Sequence, residues 1–185
     1  MKTYTLGFLF RNGKIILAGK KRKIGFGKLN GYGGRVEEGE DRAGCLVREI
    51  VEECGVIVEK ENCKELGYID FHFEDKPDFN QRVYIYRIDE FFGEPVETEE
   101  MGKPEEFEVN EIPYNRMMVG DENFVPLVVQ NKKFKGEVHF SPDGEKLASG
   151  VLESPNATLK ESLTNWTASS PCADEGPSAR NRAGA

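Results

Sequence analysis

Residues 34 to 56 read G-R-V-E-E-G-E-D-R-A-G-C-L-V-R-E-I-V-E-E-C-G-V, and this stretch decides the reading of the whole chain. Ala43, Leu46, Val47, Ile50 and Cys54 recur at helical spacing, which predicts one apolar stripe turned to a core. Asp41 stands ahead of the run as an N-cap, and Gly55 closes it as a C-terminal stop. On another face lie Glu49, Glu52 and Glu53, three and four residues apart, so their carboxylates share a patch. A helix gains nothing from like charges at that spacing. A hard divalent cation such as Mg²⁺ takes carboxylate oxygens and makes the arrangement favourable. Arg48, four residues before Glu52, is placed to hold one carboxylate.

A pair of glutamates on a helix is usually a solvated face. The full pattern is narrower: Gly34, Glu40, Arg48, Glu49, Ile50, Glu52, Glu53, Gly55 and Val56 fit G-x5-E-x7-R-E-U-x-E-E-x-G-U, where U is aliphatic, without a departure. A chance match is on the order of 10⁻⁷ per chain at ordinary residue frequencies. On these residues the chain resembles the Nudix hydrolases, which cleave a nucleoside diphosphate linked to another moiety. The resemblance implies an α+β fold, a mixed sheet sandwiched between helices (α/β/α), with the signature as loop–helix–loop. It implies that Glu49, Glu52 and Glu53 hold divalent metal, joined by the carbonyl of Gly33, with Arg48 in the same catalytic set. Mg²⁺ is the expected ion and Mn²⁺ a possible substitute. A cation bridging pyrophosphate oxygens stabilises the transition state and activates water near neutral pH, and a carboxylate can take the proton.

The rest of the chain fits one soluble domain. With 185 residues, 38% hydrophobic and 31% charged, it can bury a full core. The net charge of −8 argues against a stable nucleic-acid partner. No apolar run approaches the ~20 residues that span a bilayer. Met1 to Tyr4 lead into a strand rather than a signal peptide, so a cytoplasmic location is expected. Cys45 and Cys54 would lie ~13 Å apart along one helix, too far for a disulfide, and reduced thiols are expected. His72 and His139 fit no zinc spacing.

In order, Tyr4–Phe10 and Lys14–Gly19 read as strands joined by an Asn12-Gly13 hairpin turn. The basic, Gly-rich segment from Lys20 to Lys28 precedes the signature and offers cations to a polyphosphate. Leu66–Phe73 and Arg82–Ile88 alternate as strands, joined by an acidic turn. Glu94–Met101 reads as an irregular loop, and Phe107–Val109 as a further strand. Phe124–Gln130 reads as a helix that tolerates Pro126 only in its first turn. Lys133–Phe140 and Lys146–Leu152 suggest a hairpin about Ser141 to Gly144. Residues 1–153 are expected to form the domain, and 154–185 a low-complexity tail. Residues 156–166 could form one short helix docked by Trp166.

Within the Nudix family the chain is similar to the oxidised-purine nucleoside triphosphatases. That likeness rests on Y-T-L at Tyr4, G-K-K-R from Gly19 and N-G-Y-G-G from Asn30, then on P-V-E-T-E-E-M from Pro95 and V-P-L-V-V-Q-N-K-K-F-K-G from Val125. It implies that Thr5, Lys20, Asn30, Gly33 and Gly34 line a nucleotide pocket and that Glu100 is a further metal ligand. It also implies that Phe71, Met101, Met118 and Phe124 wall a base site around Asp121, whose burial is expected to raise its pKa. Where those relatives carry a Trp followed by Pro-Asp-Asp, this chain reads Met118-Val119-Gly120-Asp121. The implied task is nucleotide-pool sanitation by a monomer, converting triphosphates such as 8-oxo-dGTP to the monophosphate and pyrophosphate. Two alternatives stand beside it. One is hydrolysis of another substrate, such as a dinucleoside polyphosphate, nucleotide sugar or capped RNA. The other is a Nudix-like module that senses a nucleotide without cleaving it.

Overall fold

The structure is a computed structural model that describes residues 1–22, 25–74, 76–140, 147–154 and 164–165. β1 (Lys2–Arg11) turns at Asn12 and Gly13, both with positive φ, into β2 (Lys14–Gly19), the pairing the Asn-Gly signal predicts. β3 (Leu29–Asn30) and β6 (Glu105–Glu108) share the outer edge of β2. On its other side β1 pairs in parallel with β5 (Gln81–Ile88), which runs antiparallel to β4 (Lys64–Phe73). β7 (Phe134–Phe140) adds in parallel to β4, followed by β8 (Leu147–Glu153) and a two-residue β9 (Thr164–Asn165). The described sheet therefore runs β3-β2-β1-β5-β4-β7-β8-β9 and is mixed.

Two helices cover the two faces, because the strands alternate. Phe8 and Phe10, with Ile15 and Leu17, pack under α2 (Asp121–Val129) through Phe124, Val125 and Val128. Leu9, Ile16 and Ala18 face the other way and pack with Leu46, Ile50 and Cys54 of α1 (Arg42–Cys54). Leu46 and Ile50 are fully buried, each stabilising the fold by about 1.5–3 kcal/mol relative to exposure. The result is the α/β/α sandwich of the sequence reading.

The predicted caps of α1 both form. Asp41 accepts a hydrogen bond from the Gly44 amide, and Gly55 adopts a left-handed conformation with its N–H on the Val51 carbonyl. α2 departs from expectation. It begins at Asp121, three residues early, so Pro126 lies inside the helix rather than in its first turn. Arg87 of β5 closes its far end, donating to the carbonyls of Val128 and Val129 at 3.1 and 2.8 Å while stacking on Phe10. Of the helix expected over 156–166, Thr164 and Asn165 are corrected: they pair with β8 as a strand, because the free edge of β8 offers backbone partners, and the rest of that segment lies outside the described residues. Trp166 and the turn from Ser141 to Gly144 lie outside the described residues.

Candidate active site

The signature loop lies against the first half of β1. The Thr5 amide donates to the Gly34 carbonyl at 2.8 Å, Gly7 and Tyr32 exchange both backbone bonds, and the Val36 amide reaches the Thr3 carbonyl. Two glycines make this approach possible. A Cβ at Gly33 would stand 2.2 Å from the Thr5 carbonyl oxygen, and one at Gly34 would stand 2.2 Å from the Glu49 carboxylate. The loop backbone thus touches both the sheet and the acid that α1 presents. The Gly33 amide then donates to Glu53 Oε2 at 2.8 Å.

Arg48 organises the acids from outside the cleft. Its Nε and Nη2 grip both oxygens of Glu40 at 3.0 and 3.1 Å, and its Nη1 holds Glu49 at 2.8 Å and Glu52 at 3.3 Å. One rigid guanidinium fork therefore sets the signature loop against the helix. On the other side, the Thr98 hydroxyl donates to the Glu53 carbonyl at 3.0 Å. The same hydroxyl accepts from the amides of Glu100 and Met101. That tie brings Glu100 beside Glu53, where Arg22 pairs with it.

Glu53 is almost fully buried, and desolvation pushes its pKa up to about 7. The Gly33 amide and Lys20 oppose that rise, while Glu49 and Glu100 add to it. A buried acid short of positive charge, ringed by oxygen donors, fits a hard divalent cation. Glu49, Glu53 and Glu100, with Glu52 at the rim, are the residues that would hold one.

The cleft has a volume of about 730 Å³ and extends from these acids to an aromatic end, a size suited to a small molecule. Phe71, Phe73, Phe140, Phe124 and Met118 line that end. Phe73 stacks on Phe140 with ring centroids 4.9 Å apart, and Phe71 lies 6.1 Å from the same ring. Asp121 opens α2 there, buried, with Oδ2 accepting from the Met118 amide at 3.2 Å. Desolvation raises its pKa to about 8, the Met118 bond opposing and Glu122 adding. Near neutral pH Asp121 is therefore largely a carboxylic acid, able to donate a hydrogen bond.

Of the residues singled out in the sequence, the cleft brings together Thr5, Lys20, Asn30, Gly33, Gly34, Glu49, Glu53, Phe71, Glu100, Met118, Asp121 and Phe124. Three stand apart. Met101 is buried on the α1 face with Leu9, Tyr32 and Leu46, so it does not wall the base end. Its bridge to Lys20 fixes the strand edge instead. Arg48 touches carboxylates rather than the cleft, and Glu52 points to solvent with its side chain about half exposed. Thr5 lines the cleft, but its hydroxyl lies 3.5 Å from Cys45 Sγ under α1. Asn30 spends its Oδ1 on the Gly31 amide. Sequence reasoning missed Phe73 and Phe140, and it held Arg22 only as part of the basic segment from Lys20 to Lys28. The alternation of β4 and β7 carried a signal for the first two, since Phe73 shares the face of Phe71.

Residues 1–128 match the NUDIX domain family. The chain is 37% identical over 139 residues to the oxidized purine nucleoside triphosphate hydrolase of Danio rerio, covering 75% of this chain and 86% of that protein. It is 34% identical over 152 residues to the protein of the same name from Mus musculus, covering 82% and 95%. The chain belongs to the Nudix family. Among solved structures, the MutT protein of Bacillus halodurans superposes with a TM-score of 0.69 at 23% identity, covering 82% of this chain and 97% of that one. A Nudix hydrolase from Nitrosomonas europaea does so at 0.64 and 16%, covering 75% and 78%. At those identities the likeness speaks for the fold alone. As a Nudix hydrolase the protein is an enzyme that needs a divalent metal and acts on a nucleotide. No described helix is long and apolar enough to cross a membrane.

Proposed function

We propose that this Nudix hydrolase converts purine nucleoside triphosphates with an oxidised base, such as 8-oxo-dGTP, to the monophosphate and pyrophosphate, and so cleans the nucleotide pool. The observation that carries the reading is a buried carboxyl, Asp121, beside Phe124 and Met118 in the same cleft as Glu49, Glu53 and Glu100, where desolvation favours its protonated form. Such a carboxyl donates where an ionised one only accepts, and aromatic and thioether side chains beside it suit a flat purine. The names of the Danio rerio and Mus musculus relatives support the same substrate class.

In this reading Glu49, Glu52, Glu53, Glu100 and the Gly33 carbonyl would hold Mg²⁺, or Mn²⁺ as a substitute. When bound, the ion stabilises charge on the pyrophosphate and activates the attacking water. Lys20 and Arg22 line the cleft and would balance phosphate charge. Arg48 positions Glu49 and Glu52 rather than touching the substrate. Phe71, Phe124 and Met118 sandwich the base, and Asp121 donates to an acceptor on its edge. Water adds to a phosphorus, the bridging P–O bond breaks, and pyrophosphate leaves; a glutamate accepts the proton of the water.

We further propose that residues 1–153 are the catalytic unit, acting as a monomer in the cytoplasm without a stable nucleic-acid partner. The test is a screen scoring pyrophosphate release from 8-oxo-dGTP, dGTP and dCTP with Mg²⁺ or Mn²⁺. A preference in kcat/KM for the oxidised purine supports the reading. Equal rates on all three, or turnover only of dinucleoside polyphosphates or nucleotide sugars as scored by release of the nucleoside monophosphate, would replace it.

A further inference from the structure

The chain has two histidines, and they stand 67 residues apart in sequence. Parallel pairing of β4 with β7 sets His72 directly opposite His139, and Asp70 opposite Glu137. Side chains alternate along a strand, so these four project from one face, away from the Phe71, Phe73 and Phe140 wall of the cleft. Asp70 is engaged: Arg82 grips both its oxygens at 2.7 Å. The remaining three converge. The imidazole rings of His72 and His139 stack with centroids 4.7 Å apart, and His139 Nε2 lies 3.5 Å from Glu137 Oε1. One donor atom from each of the three falls within 4.8 Å of the others.

We propose that His72, Glu137 and His139 form a second metal site, selective for a borderline transition ion such as Zn²⁺ and separate from the carboxylate cleft. Two imidazole nitrogens and one carboxylate oxygen are a donor set for Zn²⁺, Ni²⁺ or Cu²⁺, whereas Mg²⁺ prefers oxygen throughout. Bonds of about 2.0–2.2 Å in a tetrahedron place donor atoms roughly 3.3–3.6 Å apart. The cluster must therefore close by about an ångström. Side-chain rotation supplies this, since Glu137 is more than half exposed and His139 about a third. The i, i+2 pair Glu137 and His139 chelates from one strand, and His72 closes the site across the ladder. The fourth position is left to water.

Occupancy would clamp β4 to β7 where their reverse faces carry Phe71, Phe73 and Phe140. The site thus stiffens the aromatic end of the cleft without touching the acids. Among the described residues this is the single group of three that combines imidazole and carboxylate donors at such range.

The test uses the full chain without a polyhistidine tag, labelled with ¹⁵N-histidine, in excess Mg²⁺ so that the cleft carboxylates are already loaded. With two histidines in the sequence the spectrum holds two imidazoles. Titration with Zn²⁺ should move both together and saturate at one equivalent, and the thermal midpoint should rise by several degrees. His72→Ala should weaken Zn²⁺ binding by at least ~10-fold and leave His139 unresponsive; Glu137→Gln should weaken it by ~10-fold. Imidazoles that fail to respond, or respond singly, would overturn the site. So would variants that bind Zn²⁺ as tightly as the parent, since the ion would then sit on the cleft acids or the thiols.

Discussion

Two buried carboxyls sit at opposite ends of the cleft, and burial pushes both upward, Glu53 to about 7 and Asp121 to about 8. Their neighbours send them to different tasks. Glu53 receives an amide proton from Gly33 and has Lys20 within electrostatic reach, but Glu49 and Glu100 crowd it. A cation relieves that crowding and fixes it as a carboxylate. Asp121 is enclosed with Phe124 and Met118 and has Glu122 nearby, so nothing favours its charge except one backbone amide. It stays protonated and can donate. In the proposed function the same desolvation thus serves a metal ligand at one end and a hydrogen-bond donor at the other. The electrostatic partner decides which.

The largest way to break this contrast is Glu53→Gln. It removes a charge that only the cation compensates, so kcat at saturating Mg²⁺ should fall by at least ~10²-fold. The metal-free protein should unfold at the same urea midpoint or a higher one, because Glu49 and Glu100 lose a like-charged neighbour. Turnover within a few-fold of the parent would remove Glu53 from the machinery.

At the other end the effect is smaller and depends on the base. Asp121→Ala should cost about 1–3 kcal/mol in kcat/KM for oxidised purine triphosphates and little for dCTP. Equal losses on both would make Asp121 a support of the fold. Asp121→Asn sharpens the test, since an amide keeps a donor at every pH. Purine preference in the parent should decline above about pH 8, whereas the Asn variant should hold it.

Stability gives a third readout of the same group. The folded pKa of Asp121 lies above its unfolded value, so the native state holds the extra proton between about pH 4 and about 8. Stability is then highest below that window, falls as pH rises through it, and levels off above. Glu53 adds the same sign in metal-free protein, up to about pH 7. The unfolding free energy read from urea titrations at pH 5, 7 and 9 should decline in the parent by on the order of 4 kcal/mol or more, and by clearly less in Asp121→Asn, where only the Glu53 contribution is left. A midpoint that rises with pH would contradict the burial argument.

Arg48→Lys asks for less. Lysine keeps the charge but cannot hold Glu40 with two parallel bonds, so kcat should drop by roughly 10-fold with KM little changed. Smallest of all is truncation after Ser154. It should leave kcat/KM within two-fold and lower the thermal midpoint slightly, since it removes the short pairing of Thr164 and Asn165 with β8. A large drop would show that the last thirty or so residues belong to the core.

What the sequence disclosed follows the range of the forces involved. Asp41 and Gly55 cap α1 through contacts within one turn, and Asn12-Gly13 sets its own hairpin, so both could be read locally. The spacing of Glu49, Glu52 and Glu53 was equally plain, but not which of them the fold would bury. That depends on where the Gly33 amide lands, a contact across twenty residues. Met101 was misplaced because the residue before it, Glu100, lines the cleft while its own side chain turns under α1. Pro126 misled about the start of α2, which begins at Asp121 after Gly120, an N-cap in a left-handed conformation that glycine allows. The meeting of His72 and His139 rests on parallel pairing of distant strands, and no spacing rule could announce it.

The Thr98 hydroxyl, shared between the end of α1 and the amides of Glu100 and Met101, has a consequence for how fast the enzyme is charged with its ion. The backbone that carries Glu100 is already fastened to the helix that carries Glu49 and Glu53. No loop has to find its place when the cation arrives, because that ordering entropy was lost at folding. The slow step of loading should then be the shedding of water by a tightly hydrated ion. A protein with Thr98→Val should load more slowly and with a stronger dependence on viscosity, since a chain segment would have to travel as well.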